Sequence, residues 1–527
     1  MNNFNASLRI GWGRQSITPQ KPAALFGQFY ERISERVRDE LFVTALAIED
    51  SDGGGGGPAG DGSACGGPVC DGPAGDHCIM ISCDLLWIHG ALQSGVRRAL
   101  AGRLKGVDPE KVLLFAIHTH TAPYYAGDAN FRPILCPYLG LGGDICNPDE
   151  YFNYLVDKIC LAAEEAWLNR RAGYARAAEQ PAITGFCRMA VYRDGGVRMY
   201  GDTDTADFRG LLGAGYPYIN MLFFYDQQRK LTGVFVNAPC PPQIVEHKSY
   251  VSADFWSQVR KDVGEALGPG IYILPAMGAA GDQSPRDLLK LTKDDAVSAN
   301  ESFLNSHIPV SDTSRDGWEM YDEAGLISMG RKIAAHIADA YRDLELSNRP
   351  EPGRPAFKHI CRKIGLPLMR VTGREYADAL AECAAAFNIS SADEDVDMDA
   401  RFVALSSRMR EAVFTSYGIV KRYKYQQSAD LYKTEIHALR IGDCAVVTNP
   451  FELYSEYGLR IRARSRIKRL IITDLACDNG GYLPVKKAVK GKAYSAIAAC
   501  CNVGPQAGDL LVSHVADMLD ELYGRRE

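Results

Sequence analysis

Residues 111–125 read KVLLFAIHTHTAPYY, an apolar run that ends in two histidines. The run VLLFAI at 112–117 is typical of a buried strand, and a helical pattern precedes it near 91–104. Strand-like and helical segments continue to alternate along the chain, and this order favours an α/β fold. We therefore expect a mixed, largely parallel sheet flanked by helices, in a single large domain (1–527) with insertions.

Two insertions are predicted within that domain. Residues 51–77 are almost all Gly, Pro, Ala and Asp, so they offer too little apolar surface to offset the entropy of ordering them. They lie between the strand-like runs FVTALAIE (42–49) and CIMISC (78–83), which predicts a disordered loop inside one sheet. Long helical patterns with an acidic stretch between two of them indicate a helical insertion at about 300–430.

The composition excludes several classes of protein. Of the 527 residues, 46% are hydrophobic and 24% are charged, which is typical of a globular chain and not of a disordered or fibrous one. The net charge of −6 gives no positive field for nucleic acid or anionic lipid, so nucleic acid is not an expected partner. The 15 cysteines are scattered along the chain, which indicates reduced thiols and not a disulfide framework.

The sequence shows no targeting or membrane signal. The opening MNNFNASLRI lacks the basic region and the apolar run of a secretory signal, and no stretch approaches the ~18 apolar residues of a membrane span. We therefore expect a soluble, cytoplasmic protein without a stable membrane anchor. The oligomeric state is left open.

Two histidines stand at the end of the strand predicted at 112–117. Side chains alternate along a strand, so His118 and His120 emerge on the same face. In open α/β sheets ligands collect beyond the carboxyl ends of strands, and neutral imidazole is a common zinc ligand. The pair is therefore either a metal or catalytic site or two hydrogen-bonded structural histidines.

Other predicted strands also end in polar side chains. Cys240 lies in a Pro-Cys-Pro-Pro turn that fixes the direction of its thiol, a good zinc ligand, although a buried turn residue is the alternative. Glu246 and His247 follow it and are either ligands or bases, or part of an exposed polar loop. Ser284 is a nucleophile, a donor to a substrate carbonyl, or the start of a turn. The remaining candidates are Asp282, Gln283, Glu452, Tyr482 and Tyr494.

Several of these segments resemble motifs of the neutral/alkaline (non-lysosomal) ceramidase family. GWGRQSITP (11–19) is similar to the family's opening strand and turn, and SCDLL (82–86) to its S-x-D strand. AIHTHTAP (116–123) resembles its S-H-T-H-S-G-P motif, and AAGDQSP (279–285) its G-D-x-S-P-N motif. The motifs follow the same order across nearly the whole chain. The resemblance implies a divergent member that carries the catalytic domain and lacks the family's C-terminal immunoglobulin-like domain.

The resemblance also implies one Zn²⁺ per chain, because the family holds zinc with two histidines, a glutamate and a tyrosine. Matched position by position, three of these ligands are His118, Glu452 and Tyr482. Counting back from the shared S-(S/A)-D segment at 252–254 places Cys240 where the family has its second histidine. Since a thiolate can replace imidazole on zinc, the implied site is His118, Cys240, Glu452 and Tyr482.

The catalytic side chains are implied in the same way. His120 matches the second histidine of its motif, Arg188 an arginine in the strand FCRMAVY, Ser284 the serine of G-D-x-S-P, and Tyr494 a tyrosine twelve residues after Tyr482. In the implied mechanism a zinc-activated water attacks an amide carbonyl, His120 acts as base and acid, and the other three donate to the oxyanion or hold the substrate. The residues expected around them are Asp282, Gln283 and Glu246.

These features favour a zinc-dependent hydrolase of an amide (N-acyl) bond. By resemblance it belongs to sphingolipid metabolism, but no amphipathic membrane-binding stretch is present, so we expect a more soluble acyl-amide substrate than ceramide. Two alternatives stay open. One is a metal-dependent hydrolase of a different soluble substrate, a glycoside or an ester. The other is a degenerate, non-catalytic binding protein, because the family's second zinc histidine is missing.

Overall fold

A computed structural model of the chain describes residues 8–28, 30, 32–50, 75–127, 144–290, 322–347, 357–389 and 397–524. Most of the predicted disordered loop, residues 51–74, lies outside this part of the chain, as do segments of the predicted helical insertion. Among the described helices, none is both long enough and apolar enough to cross a membrane.

The described ranges contain strands and helices in alternation. The strands are β1 Leu8–Ser16, β2 Arg36–Val37, β3 Phe42–Asp50, β4 His77–Cys83, β5 Val112–Ala116, β6 Arg171–Pro181, β7 Phe186–Cys187, β8 Met189–Tyr192, β9 Val197–Met199, β10 Phe208–Leu211, β11 Tyr218–Asp226, β12 Leu231–Ala238, β13 Tyr250–Val251, β14 Tyr272–Met277, β15 Gln283–Ser284, β16 Phe357–Pro367, β17 Leu431–Ile441, β18 Cys444–Thr448, β19 Glu452–Leu453, β20 Arg469–Thr473 and β21 Tyr482–Leu483. The α-helices are α1 Gly90–Arg103, α2 Pro148–Leu168, α3 Phe255–Leu267, α4 Glu323–Leu346, α5 Gly373–Phe387, α6 Met398–Ala404, α7 Ser407–Ser428, α8 Ser455–Arg464, α9 Lys486–Lys490 and α10 Pro505–Tyr523.

The larger sheet has eight strands in the order β14-β12-β11-β6-β1-β3-β4-β5, counted over the described residues. The predicted mixed α/β fold is confirmed, but the pairing is mostly antiparallel and not largely parallel. Its parallel pairs are β4–β5 and β12–β14, and its five other pairs are antiparallel. A parallel pair needs a crossover, usually a helix. Helices α1 and α3 supply the two crossovers, whereas a short turn joins β11 to β12.

The two largest sheets among the described residues and their helices stack in four layers. One face of the larger sheet is covered by α1, α2, α3 and α4, whose apolar side chains share one core with it. The opposite face packs on a smaller sheet in the order β16-β17-β18-β20, where Trp12, Phe224 and Phe235 join a core with Val446 and Ile471. Helices α8 and α10 pack on the outer face of the smaller sheet. The layers therefore run helix, sheet, sheet, helix.

Strand β16 corrects the prediction of a helical insertion at about 300–430. It pairs with β17 along its whole length, from Phe357↔Ile441 to Pro367↔Leu431, so this stretch builds the smaller sheet. Helix α4 belongs to the main body, because it shares the core of the larger sheet. Within the described residues, the helical part is α5, α6 and α7, which have a small apolar core of their own.

Strand ends from both sheets meet at one place in the molecule. Asp474, directly after β20, donates its backbone N–H to Met277 O at the end of β14, at 3.0 Å. Ala476 bridges to Phe115 near the end of β5. Because ligands collect beyond the carboxyl ends of such strands, this junction of β5, β14 and β20 is where a functional site is expected.

Candidate active site

His118 is held at the end of β5 by two carbonyl groups. Its backbone N–H donates to Leu85 O at 3.0 Å, and its ring Nδ1 lies 2.9 Å from Leu86 O. A carbonyl only accepts, so Nδ1 carries the proton and the lone pair of the neutral ring is on Nε2. The backbone φ of +75° lies in the left-handed region, which non-glycine residues rarely adopt and which is common at functional sites.

Glu452 brings a buried carboxylate to the same ring. It begins β19, which pairs in parallel with β21 and sets Glu452 opposite Tyr482. Its Oε2 lies 3.4 Å from His118 Nε2, and neither side chain is more than 5% exposed. The Tyr482 hydroxyl is hydrogen-bonded to the carboxylate. A lone pair and a carboxylate that face each other in a buried space repel unless a proton or a cation lies between them.

Arg188 adds a buried positive charge beside Glu452 and Tyr482. Its Nη2 donates to Tyr482 OH at 3.1 Å and to Gly281 O at 3.0 Å, and it lies 4.0 Å from Glu452 Oε2. Burial lowers the pKa of Arg188, but Tyr482, Tyr200 and Glu452 more than offset this and hold the pKa well above its ordinary value. The guanidinium therefore stays charged and is a fixed cationic donor.

His120 lies against His118. Its Nε2 is 3.4 Å from His118 Nε2 and accepts a hydrogen bond from Gln243 Nε2 at 2.8 Å. The proton of the neutral ring is then on Nδ1, which lies 3.5 Å from Glu246 Oε2. Burial, followed by the charges of His118 and two nearby arginines, lowers the pKa of His120 well below its ordinary value. The ring is therefore neutral at pH 7 and able to accept a proton.

The backbone near Gly27 makes room for the imidazole of His120. Gly27 has a φ of +112°, and a Cβ there would lie 2.6 Å from Cγ and Nδ1 of His120. Arg32 holds the other side of the residue, because its Nη2 donates to His120 O at 2.7 Å. A larger residue at Gly27 would therefore displace the ring from its partners.

The segment after β12 contributes Gln243 and Glu246. Gln243 Nε2 lies 3.2 Å from Glu246 Oε2, so it joins the carboxylate to the imidazole of His120. Burial raises the pKa of Glu246. Over the described residues Gln243 Oε1 is buried without a hydrogen-bond partner, so this acceptor is unsatisfied. The sequence predicts Glu246 here, whereas Gln243 is missed; its one signal is the position three residues after Cys240.

The predicted site residues Asp282 and Gln283 form hydrogen bonds with the first residue of helix α8. The carboxylate of Asp282 accepts from the N–H and the hydroxyl of Ser455, at 2.9 and 2.8 Å, at the start of α8. Gln283 Nε2 donates to the same hydroxyl at 3.4 Å. Gly281 lies so close to Glu452 that a Cβ would be 2.2 Å from Glu452 O. This loop therefore positions Glu452 through backbone packing and the helix that follows it.

Ser284 is fully buried and linked to Arg188 through one tyrosine. Its Oγ accepts from Tyr200 OH at 3.2 Å and from the N–H of Arg286 at 3.1 Å. Tyr200 in turn donates its backbone N–H to Arg188 O at 2.8 Å. Among the described residues no imidazole or carboxylate is hydrogen-bonded to Ser284.

Tyr494 contacts the candidate active site through the ring of Tyr482. The two rings meet edge to face, with centroids 6.2 Å apart. The Tyr494 hydroxyl is also hydrogen-bonded to the thiol of Cys500. Burial raises the pKa of Tyr494 well above its ordinary value, so the hydroxyl keeps its proton and is able to donate.

Cys240 is not brought into this group. Its side chain is buried in the core between the larger sheet and its helices, with Sγ 3.5 Å from Pro241 O. Burial, followed by the charge of Asp254, raises the pKa of Cys240 well above its ordinary value, so the thiol is neutral there. The role of Cys240 as a replacement for a zinc histidine stays a prediction.

The donor atoms present fit a metal at one part of the site. His118 Nε2 and the oxygens of Glu452 and Tyr482 form a nitrogen-and-oxygen set that suits zinc. Among the described residues, one group of three His, Cys, Asp or Glu side chains has its donor atoms within 4.8 Å of one another. This group is Cys361, Glu435 and His437, and it lies outside the candidate active site. The predicted trio of His118, Cys240 and Glu452 is thus not preformed at that spacing.

Two solved structures with a similar fold are ceramidases. The neutral ceramidase from Pseudomonas aeruginosa matches with a TM-score of 0.64 and 15% sequence identity, over 99% of this chain and 76% of that chain. The chain has a neutral ceramidase-like fold. A ceramidase described as complexed with C2 has the same fold, with a TM-score of 0.63, 15% identity and the same coverage. No family model and no curated protein matches the sequence.

The ceramidase-like fold confirms the resemblance first indicated by short motifs. His118 and His120 follow β5, Glu452 follows β18, and Tyr482 follows β20, so residues far apart in sequence meet at one junction of strand ends. At 15% identity the likeness to the neutral ceramidase concerns the fold. The chemistry must be argued from the side chains of this chain.

Proposed function

We propose that the chain is a metal-dependent hydrolase that cleaves a linear amide (N-acyl) bond with water. The observation that supports this most is the convergence of His118, His120, Glu452, Tyr482 and Arg188 at the strand ends of a ceramidase-like fold. They combine metal-type donors, a neutral imidazole and a fixed cation. Hydrolysis of an acyl bond needs a polarised carbonyl, a base and a group that stabilises the oxyanion.

A zinc ion would be held by His118, Glu452 and Tyr482. The fixed lone pair of His118 Nε2, 3.4 Å from the Glu452 carboxylate, supports a cation at this position. Bound zinc supplies a Lewis acid and lowers the pKa of a bound water toward ~7. Three protein ligands are the usual number in a catalytic zinc site, which keeps a fourth position open. Cys240 is required as a ligand only if a fourth protein donor is needed.

His120 is the proposed base and acid. Its Nε2 gives up the hydrogen bond from Gln243, takes a proton from the attacking water instead, and then passes that proton to the nitrogen of the leaving amine. The low pKa of His120 keeps the ring neutral before the reaction. Glu246, 3.5 Å from Nδ1, stabilises the imidazolium that forms, and Gln243 orients the neutral ring before the reaction by its bond to Nε2.

Arg188 and Tyr494 are the proposed donors to the developing oxyanion. The guanidinium is buried, charged and fixed by Tyr482 OH and Gly281 O. The hydroxyl of Tyr494 keeps its proton because burial raises its pKa. Donors that are already oriented need no rearrangement when charge develops on the carbonyl oxygen.

Direct attack by water is favoured over a covalent acyl-serine intermediate. A serine nucleophile needs a base that removes its proton. The Oγ of Ser284 instead accepts from Tyr200 OH and Arg286 N–H, and no base is bonded to it among the described residues. Ser284 therefore acts through Tyr200 on the position of Arg188.

For the substrate we propose an acyl-amide more soluble than ceramide. The proposed groups act on the carbonyl and the leaving nitrogen, which soluble and lipid acyl-amides share. The substrate test therefore compares N-acyl amino acids with a short-chain N-acyl sphingosine. Higher kcat/KM for the first set supports a soluble substrate, and higher kcat/KM for the second supports a sphingolipid.

A second candidate is a binding protein without catalysis. It is favoured by the position of Cys240, whose thiol lies in the apolar core and not beside His118. If a fourth protein ligand is essential, this chain would bind an acyl-amide without hydrolysing it.

The deciding experiment is product analysis on the purified chain with zinc and with chelator. We expect release of free acid and amine that stops with chelator and returns with zinc. Glu452→Gln should abolish it, whereas Glu456→Gln, an exposed glutamate four residues later, should not. Turnover of a glycoside or ester instead would support the alternative hydrolase. Binding of an acyl-amide without any turnover by zinc-loaded protein would support the binding protein.

A further inference from the structure

A second group of donor atoms lies between α1 and the smaller sheet, apart from the candidate active site. Cys361 on β16 is the direct partner of His437 on β17, and Glu435, two residues before His437, is on the same face. The donor atoms of these three side chains lie within 4.8 Å of one another. Cys477, in the segment after β20, adds a buried thiol whose Sγ is 3.5 Å from His437 Nε2. We call these four residues the cysteine cluster.

Hydrogen bonds fix which nitrogen of His437 is available. His359 Nδ1 lies 3.2 Å from His77 O, so it donates to that carbonyl, and the Nε2 of the neutral ring is an acceptor. His437 Nδ1, 2.9 Å away, then donates to His359 Nε2. The lone pair of neutral His437 is left on Nε2. An acceptor that binds the other ring N–H and so fixes the tautomer is typical of histidine metal ligands.

The unprotonated Nε2 of His437 lies from Glu435 and Cys477 at the distances that separate ligands of a zinc ion. His437 Nε2 lies 3.2 Å from Glu435 Oε1 and 3.5 Å from Cys477 Sγ. Zinc bonds of about 2.0 Å to nitrogen, 2.1 Å to oxygen and 2.3 Å to sulfur at tetrahedral angles put N and O about 3.4 Å apart and N and S about 3.5 Å apart. The separations of His437 Nε2 from Glu435 and from Cys477 are therefore those of ligands on one tetrahedral ion.

We propose that Cys361, Cys477, Glu435 and His437 bind a structural Zn²⁺, a site distinct from the candidate active site and independent of the proposed function. Sulfur and nitrogen donors select zinc over magnesium or calcium. Binding releases one proton from each thiol to solvent, and no other bond changes. Four protein ligands leave no position for a substrate, so the ion stabilises the fold.

Arg97 balances the charge of the proposed site. Zinc with two thiolates and a carboxylate has a net charge of −1. Arg97 Nη2 lies 2.7 Å from Glu435 Oε1, and both side chains are about 15% exposed. A carboxylate oxygen has two lone pairs, so Oε1 is able to accept from Arg97 and also to bind the metal.

The proposed ion would tie three parts of the chain together. It joins the paired strands β16 and β17 to the segment after β20, where Cys477 has a φ of +67° and donates its N–H to Leu114 O at 2.9 Å. The same segment leads into β21 and Tyr482. Zinc in the cysteine cluster would therefore also steady the strand that carries one ligand of the candidate active site.

Zinc content of the full-length chain tests the proposal. We expect Cys361→Ser and His437→Asn each to lose one zinc per chain relative to the native protein. Cys146→Ser is the matched control, because Cys146 is also a half-buried free cysteine and should lose none. His118→Ala should keep the zinc of the cysteine cluster. Zinc content that is unchanged in both Cys361→Ser and His437→Asn overturns the proposal.

A second measurement on the native protein does not depend on the folding of variants. Alkylation followed by peptide mass spectrometry should label Cys361 at least about tenfold more slowly in zinc-loaded protein than after chelation, because a metal-bound thiolate is blocked. Cys146 should label at the same rate in both. Equal labelling of Cys361 in the two states overturns the proposal. Neither measurement reads hydrolysis, so failure of the proposed function would leave both results intact.

Discussion

The candidate active site and the cysteine cluster both present a histidine Nε2 to a glutamate. In the first, Leu86 O fixes Nδ1 of His118, and Nε2 is 3.4 Å from the carboxylate. In the second, His359 fixes Nδ1 of His437, and Nε2 is 3.2 Å from the carboxylate. The two places thus share the arrangement that makes neutral imidazole a metal ligand.

The two places differ in what surrounds that pair. In the cysteine cluster Glu435 and His437 stand on a regular strand, and every added donor is a thiol that can bind the metal. In the candidate active site the histidine follows the strand in a left-handed backbone conformation. Its added groups are His120, Arg188 and the tyrosines, which can act on a substrate. A site for chemistry is therefore recognised by the groups that are not ligands.

The largest expected effect comes from removing the ligand that only the candidate active site needs. In His118→Ala we expect kcat/KM for the acyl-amide to fall by about 10⁴-fold, because the proposed metal loses a ligand. Kinetic assays and zinc analysis of the same sample check this. His336→Ala, on α4, is the control. If His118→Ala keeps full activity, the candidate active site is not the place of catalysis, and it no longer differs in function from the cysteine cluster.

The next effect separates the base from the metal. In His120→Ala we expect a loss of about 10³-fold in kcat with unchanged zinc content, because general base catalysis is removed and no ligand is lost. Gln243→Ala should cost less, since it only orients the ring. Single-turnover kinetics with zinc analysis measures both. Loss of zinc in His120→Ala would instead make His120 a ligand.

The sequence predicts the part of the candidate site that follows from strand ends. The run VLLFAI predicts where His118 and His120 emerge, and short motifs place Glu452 and Tyr482 nearby. The direction of the Cys240 thiol depends on how the turn after β12 packs against the core, so its role as a ligand stays a prediction. The sequence also does not predict the cysteine cluster. The cluster depends on the pairing of β16 with β17, and β16 lies in a stretch predicted as helical.

The antiparallel order of the larger sheet is missed for a similar reason. A buried strand has the same apolar pattern whether its neighbour runs parallel or antiparallel. The short turn between β11 and β12 indicates an antiparallel pair, whereas the helices α1 and α3 mark the crossovers between parallel strands. Connection length is therefore a better guide to pairing in this chain than the alternation of helices and strands.

A third prediction tests the scaffold that lies between the strands and the site. Burial raises the pKa of Asp254 to about 7, although its carboxylate accepts from the N–H groups of Val245 and Phe255. A raised carboxyl pKa favours the folded state at pH below about 4, and this contribution is lost as pH rises through about 7. Relative to Asp254→Asn, the native protein should lose roughly 4 kcal/mol of unfolding free energy between pH 4 and pH 8.

Urea unfolding at several pH values measures this difference. The constant cost of replacing one carboxylate oxygen by an amide group cancels, because only the change with pH is compared. Asp194→Asn, at an exposed hairpin turn, is the control and should follow the native protein. Parallel curves for Asp254→Asn and the native protein would show that Asp254 is ionised in the fold throughout this range.

The smallest effect sharpens the comparison at Ser284, which belongs to the candidate site without touching a base. We expect Ser284→Ala to lower kcat by about tenfold, because Tyr200 loses the acceptor of its hydroxyl and Arg188 is held less firmly. Tyr200→Phe should have an effect of similar size, and the double variant should add little, since both remove the same contact. A loss of 10⁴-fold with a trapped acyl group on Ser284 would establish a serine nucleophile. In that case the reaction would pass through a covalent intermediate. Ser284 would then join His120 and Arg188 as a reactive group that the cysteine cluster lacks.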